Sequence, residues 1–244
     1  AYPVAAVAIA RVDEQTAVTL SQSALGRSLP PLQFVDANGN PLRLADLRGT
    51  PLVLTLVYTA CSDICPLVIQ NLRPLVENAR VLFGEERFAV LTVGFDARRD
   101  TPERMRAFAR SQGISWSNWH FLSGDQATIE ALAEAVGFTF YPYAGGFGHL
   151  ALISIVDTEG RVYRQIYGDS FEPPQLFEPL KDVVYGRYRP VTDFAGLADR
   201  VRLFCTVYDP NSGRYVFDYS LFLAIGIGLA CLSVVAALLI REVR

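Results

Sequence analysis

Cys61 and Cys65, separated by three residues in the string TACSDICP, are the side chains whose type and spacing most directly invite chemistry. If Cys61 stands at a loop-to-helix junction and Cys65 in the first turns of the helix, both sulfurs face one side. A helix N-terminus offers partial positive charge and unpaired N–H groups, which is expected to lower a thiol pKa and favour the thiolate. Such a pair serves as a structural disulfide, as a redox dithiol or as half of a metal site, and spacing alone does not choose among the three.

The search for a third ligand is short, because the chain has two histidines. His120 lies in SWSNWHFLSG between Trp119 and Phe121 and reads as a packed residue. His149, in AGGFGHLALISIVD, follows Gly145, Gly146 and Gly148 and immediately precedes a strand. In a thioredoxin-like domain that loop faces the start of the cysteine-bearing helix. Structural zinc normally takes four nitrogen or sulfur ligands, more than this domain easily supplies. Two soft thiolates and one imidazole suit copper, as Cu(I) or Cu(II). The candidate metal ligands are therefore Cys61, Cys65 and His149, with Cys61 and Cys65 doubling as a redox dithiol. Asp63, between the cysteines, reads as an exposed loop carboxylate or a partner contact. Asp96 and Asp100 either approach the site from the end of a strand or serve in turns and caps. Cys205 reads as buried and inert, with a free redox thiol as the alternative.

Positioning these residues requires an α/β domain. Phe34 to Leu42 carries the Asn38-Gly39 turn signal between apolar flanks and is expected to form a hairpin. Pro51 to Val57 is a continuous apolar run, as in a strand covered on both faces, and it ends at the cysteines. Pro66 to Phe83 has helical spacing, and Phe88 to Phe95 reads as the next strand. Thr101, Pro102 and Glu103 open a helix through about Ser111, and Asp125 caps another carrying Ile129, Leu132, Ala133 and Val136. Leu150 to Val156 and Arg161 to Tyr167 form a second hairpin, and Pro174 to Tyr185 closes the domain as a helix. The order, hairpin then β-α-β-α-α-β-β-α, predicts a thioredoxin-like fold with a mixed sheet and helices on both faces. Ligand chemistry in such sheets belongs at the carboxyl ends of strands, where Cys61 falls.

Composition adds a membrane reading. Of the 244 residues, 51% are hydrophobic, and mean hydropathy is +0.23, high for a wholly soluble chain. The excess is concentrated in Tyr219 to Ile240, a run without charge. At about 1.5 Å per residue this run is long enough for a hydrocarbon core of about 30 Å. Arg241 and Arg244 follow it and Asp218 precedes it, so the positive-inside rule places the C-terminus in the cytoplasm and the rest in a periplasm. The first residue is Ala rather than Met, which suits a mature end left after signal-peptide removal. Residues 1–25 read as an extended lead-in, 26–190 as the thioredoxin-like domain, 191–218 as a juxtamembrane segment and 219–240 as one transmembrane helix. A net charge of −3 with no basic cluster argues against a nucleic-acid partner.

Three strings in order, CSDICP, TVGFDARRDTPERMRAFA (Thr92 to Ala109) and GHLALISIVDTEGRV (Gly148 to Val162), make the region from about 26 to 190 resemble the Sco (SenC) family. That family is thioredoxin-like and membrane-anchored, and it is implicated in building the dinuclear copper centre of cytochrome c oxidase. Its CxxxCP pair with a distant histidine is matched by Cys61, Cys65, Pro66 and His149. The resemblance implies a copper chaperone or thiol-redox protein whose partner is cytochrome c oxidase subunit II or another respiratory-complex subunit, at a bacterial inner membrane. Two departures stand out. Ser62 occupies a position that is often proline in the family, and the apolar span lies at the C-terminus where familiar members carry it at the N-terminus. Two other classes remain open: a peroxiredoxin-like thiol-disulfide oxidoreductase, against which the absence of CxxC spacing counts, and a resident accessory subunit of a respiratory complex, packed through Gly226, Gly228 and Ala230.

Overall fold

The computed structural model describes residues 13–62, 64–143, 146–186, 205–209 and 214–243, the side chains of 214, 215, 221, 234–240, 242 and 243 excepted. The chain divides into two compact units, Ala1–Val184 and Tyr185–Arg244. In the first, the element order is α1 (Glu14–Gln22), β1 (Gln33–Asp36), β2 (Pro41–Arg43), β3 (Leu52–Val57), α2 (Ile64–Phe83), β4 (Ala89–Gly94), α3 (Pro102–Ser111), β5 (Trp119–Ser123) and α4 (Gln126–Val136). It continues with β6 (Phe140–Tyr143), β7 (Gly146–His149), β8 (Leu152–Val156), β9 (Val162–Tyr167) and α5 (Pro173–Val184).

Seven strands form one mixed sheet in the order β2-β1-β5-β4-β3-β8-β9. Its centre is parallel, β3 pairing with β4 from Leu52↔Ala89 to Val57↔Gly94 and β4 pairing with β5, while β8, β9, β1 and β2 are added antiparallel. Every residue of β3 and β4 is buried. That explains their largely apolar sequences, since a strand covered on both faces admits a polar side chain only where it finds a partner, as Thr55 does in Leu152 O and Thr92 in Trp119 Nε1. The mixed sheet is the one the sequence predicts, and the caps hold as well: Thr101 accepts from Arg104 N, and Asp125 accepts from Thr128 N at 2.8 Å.

Three elements depart from the sequence reading. Within the segment read as a lead-in, of which residues 1–12 lie outside the described residues, Asp13 accepts from Thr16 N at 2.9 Å and opens helix α1, which buries Ala17 and Ser21 four residues apart. Its apolar stripe is too narrow to show in a segment rich in Thr, Ser and Gln. The stretch around His120 is a strand, β5, because pairing to β4 buries Phe121 and Leu122 despite the polar residues before them. The glycine-bearing loop before β8 is itself an antiparallel hairpin, β6 against β7, with His149 opposite Phe140 and Gly148 opposite Tyr141.

In the second unit, β10 (Thr206–Asp209) and β11 (Arg214–Phe217) form a hairpin, and α6 spans Ser220–Val243. Asp218 accepts from Ser220 N at 2.8 Å in the turn that leads into the helix. The segment read as juxtamembrane thus contains a hairpin the sequence did not announce. Helix α6 occupies the stretch read as a span, with Leu223, Ile227 and Leu232 each about two-thirds exposed. The described apolar side chains end before Ser233, and among the described residues no helix is long and apolar enough to cross a membrane.

Candidate functional site

The chain leaves β3 through Tyr58-Thr59-Ala60 and turns at once, Cys61 N donating to Tyr58 O at 3.0 Å. Cys61 stands three residues before the start of α2. Its Sγ receives the N–H of Cys65, in the first turn of α2, at 3.4 Å, so sulfur satisfies one of the donors a helix start leaves open. Both cysteines are in the thiol form, Cys61 half-buried and Cys65 only 2% exposed. His149 closes the arrangement from β7, its Nε2 lying 3.8 Å from Cys65 Sγ. Its other ring nitrogen, Nδ1, is 3.3 Å from Leu150 O. A carbonyl can only accept, so Nδ1 carries the proton and Nε2 keeps its lone pair for Cys65 or for a metal.

The electrostatics differ from the sequence expectation at one point. Burial pushes the Cys65 thiol well above its ordinary range, outweighing the hydrogen bond it receives, and the neighbouring Cys61 and Asp100 add to the rise. A helix N-terminus lowers a thiol pKa only where the thiolate keeps some solvation, and Cys65 has almost none. Burial also lowers the His149 pKa, so its imidazole is neutral at neutral pH, the form that ligates.

An aromatic shell fixes the imidazole. Phe95, fully buried at the end of β4, packs edge-on to His149 at 5.3 Å and touches Tyr58, Phe138, Phe140 and Phe147. Phe138 and Tyr58 stand 5.7 and 5.9 Å from the same ring. Gly148 is required where it is, since a Cβ there would run into the Tyr141 ring across the hairpin. A cavity of about 360 Å³, lined by Glu14, Ile64, Tyr141, His149 and Asp169 among others, opens onto the imidazole.

Of the secondary candidates, Asp100 belongs to the site's foundation. Its Oδ1 accepts from Thr59 N at 2.9 Å and Thr59 Oγ1 at 2.7 Å, and its Oδ2 accepts from Asp96 N at 2.9 Å. This buried carboxylate ties the loop before Cys61 to the loop after β4. Asp96 is buried beside it, with Arg99 at 3.9 Å. Asp63 and Gly145 lie outside the described residues. His120 sits on β5, two strands from β3, and stays apart from the thiols. Cys205 is buried and Cys231 exposed, both in the second unit. Among the described residues no three His, Cys, Asp or Glu side chains already converge into a metal cage. What the fold brings together is Cys65 with His149, and Cys61 one helical turn away. The donor chemistry, two thiols and a neutral imidazole with an available lone pair, fits a soft metal ion such as copper.

Residues 22–185 match the family model described as SCO1/SenC. The chain belongs to the SCO1/SenC family. A relative from Stutzerimonas stutzeri, provisionally named a copper-binding protein, is 29% identical over 124 residues, covering 48% of this chain and 55% of that one. The SCO1/SenC chain spans little more than half the length of the first curated relatives it matches. Among solved structures, BsSco, described with a disulfide switch and as a member of the Sco family of cytochrome c oxidase assembly proteins, superposes with a TM-score of 0.59 at 21% identity, covering 66% of this chain and 95% of BsSco. ScoI of Bradyrhizobium japonicum, solved with copper bound, gives a TM-score of 0.50 at 24% identity, covering 63% and 98%. These likenesses place the SCO1/SenC sheet and helices in the thioredoxin-like class.

The residues that sequence reasoning passed over are Tyr58 and Phe95. Both are aromatic and lie at or just past the carboxyl ends of the two central strands, where side chains meet whatever a loop presents. An aromatic in an apolar strand reads only as core, so its contact with His149 is invisible until the loops are placed.

Proposed function

We propose that this chain binds copper through Cys61, Cys65 and His149 and serves the assembly of a cytochrome c oxidase copper centre. The observation that carries the reading is the approach of Cys65 Sγ to His149 Nε2 at 3.8 Å within a SCO1/SenC domain. Bound there, copper is cargo held by soft ligands that an incoming ligand can replace. Each chain residue has a distinct part. His149 offers Nε2 because Leu150 O fixes the proton on Nδ1. Cys65, buried, gives up its proton only in exchange for a cation. Cys61, half-exposed, is the ligand an acceptor's thiol or imidazole can reach first. Asp100, through Thr59, keeps the Cys61 loop against the end of β4.

The same exposure difference favours a second role, reduction of acceptor cysteines. Cys61 as thiolate attacks an acceptor disulfide, and Cys65 then displaces the second acceptor thiol. The acceptor gains two electrons and two protons, and a Cys61–Cys65 disulfide forms. The acceptor in either role is cytochrome c oxidase subunit II or another respiratory-complex subunit. A bacterial inner-membrane location follows from reading 219–240 as a single-pass anchor, with the SCO1/SenC domain periplasmic and the C-terminus cytoplasmic. What supports the anchor is the uncharged run Tyr219 to Ile240 and the exposed apolar surface of α6.

Anaerobic copper titration against a competing chelator tests the metal reading. One equivalent should bind to the wild type, Cys61→Ala/Cys65→Ala should lose it, and His149→Ala should weaken it by at least about tenfold, the lower range for disturbing even outer-shell groups. Undiminished binding in the double cysteine variant, or none in the wild type, would sink the assignment.

A further inference from the structure

A second cavity, of about 430 Å³, lies where three segments meet: the loop leading into Cys61, the loop after β4 and the β6–β7 hairpin. Tyr58 and Ala60 carry its wall to the residue before Cys61, Arg98 and Arg99 come from the loop after β4, and Tyr143 and Phe147 from the hairpin. Copper binding and thiol exchange give Arg98, Arg99 and Tyr143 no part. Arg98 is exposed, and among the described residues it has no ion-pair partner. Arg99 is 66% exposed and stands off Asp96 at 3.9 Å, Nε to Oδ2. Asp96, also in the wall, is itself buried. Tyr143 is 52% exposed near the hairpin tip. The cavity on the imidazole has the opposite character, with Glu14 and Asp169 in its wall, so the basic cleft belongs to the Cys61 loop and not to the site as a whole.

The chain carries a net charge of −3, so its general field repels acidic groups. Two guanidiniums beside the more exposed thiol reverse that sign locally. Guanidinium pairs with carboxylate through two parallel hydrogen bonds, and Tyr and Arg are among the side chains that most often carry binding energy at interfaces. We infer that this cleft docks an acidic segment of the acceptor protein, its carboxylates on Arg98 and Arg99 and its chain against Tyr143, so that the acceptor's reacting group arrives at Cys61. The inference names the chemistry of the partner and rests on the proposed function. Its test needs neither copper nor a disulfide, so the two can fail separately.

Two synthetic peptides, each with a central iodoacetyl group and identical except that glutamates flank it in one and lysines in the other, are presented to the full chain, reduced and metal-free, in non-ionic detergent. The Cys61 thiolate forms a C–S bond and iodide leaves. Modified Cys61 is counted by mass spectrometry of its proteolytic fragment, which separates it from Cys205 and Cys231. The ratio of the two rates cancels the reactivity of the thiol itself. At about 0.01 M salt, where charges act over about 30 Å, the glutamate peptide should react about fivefold faster than the lysine peptide, the upper range for one exposed ion pair. At about 1 M salt, with a screening length of about 3 Å, the ratio should approach one. Arg98→Glu should bring the ratio to one or below already at low salt, while Arg98→Lys, which keeps the charge, should retain most of it. Equal rates in the wild type, or a faster lysine peptide, overturn the inference, as does an acidic preference undiminished in folded Arg98→Glu. If that variant does not fold, a wild-type preference that salt leaves unchanged overturns it instead. Failure of the wild type to bind copper would remove the proposed function and leave this ratio as the separate measure of the cleft.

Discussion

Asp100 and Cys65 are both acids whose burial raises the pKa, and each leads to a prediction. Asp100 is a carboxylate with three donors aimed at it, yet desolvation outweighs them and raises its pKa. The folded state therefore holds this proton more tightly than the unfolded chain, whose carboxylate titrates near 3.8. Between that value and the raised one the native state binds more protons, so this group's contribution to stability falls as pH rises. Asp100→Asn removes the ionisation, and urea unfolding across pH should show the wild type losing stability relative to the variant on going upward from pH 4. A parallel pair of curves would contradict the burial argument. For Cys65 the raised thiol pKa means that copper must displace a proton at neutral pH. Apparent copper affinity should therefore tighten by at least about tenfold per pH unit, one decade for each proton released. An affinity flat between pH 6 and pH 8 would show that Cys65 is not a ligand. The three ligand candidates were legible because cysteine and histidine are rare here and their spacing is suggestive. Tyr58 and Asp100 act through neighbours, and nothing in TLVYTAC or FDARRD alone says which neighbours those are.

At the scale of elements, the site is made by the β6–β7 hairpin closing over the ends of β3 and β4. Its hub is Phe95, fully buried among four aromatic rings and the imidazole. Phe95→Ala should cost about 3–5 kcal/mol of stability through the cavity it leaves, measured by chemical unfolding. Because the lost ring also holds His149, copper affinity should fall even under conditions where the variant is fully folded. A variant that loses stability but keeps affinity would show that the hairpin positions His149 unaided. The central strands and capped helices could be read from sequence because their signals are local: nearly continuous apolar runs for β3 and β4, Thr101 with Pro102, and Asp125. The hairpin could not. Phe140, Tyr141, Gly146 and Gly148 have no period of their own, and the hairpin is held to the domain by Phe140 and Phe147 packing on Phe95. Helix α1 and strand β5 escaped for a related reason, since each is short and draws its stability from the sheet it covers or extends.

At the scale of the molecule, the second unit is what the proposed membrane anchor is tested on. Helix α6 runs Ser220–Val243, about 36 Å at the usual rise per residue. Leu223, Ile225, Ile227, Leu229 and Leu232 on it are exposed. Burying a side chain of that kind is worth about 1.5–3 kcal/mol, so these five together favour an apolar environment by on the order of 10 kcal/mol. Water offers no such environment, and a bilayer does. The full chain expressed with an export signal should therefore stay with membranes through alkaline carbonate extraction, while a chain ending at Asp218 should be released. Ala230→Arg, near the middle of the run, should cost about 2.5–3.5 kcal/mol of insertion and shift part of the protein to the soluble fraction. On the proposed topology, with Arg241 and Arg244 on the cytoplasmic side, protease added outside intact spheroplasts should remove the SCO1/SenC domain and spare a tag placed after Arg244. Release of the full chain by carbonate would instead assign the exposed apolar side chains of α6 to another protein chain and remove the proposed anchor.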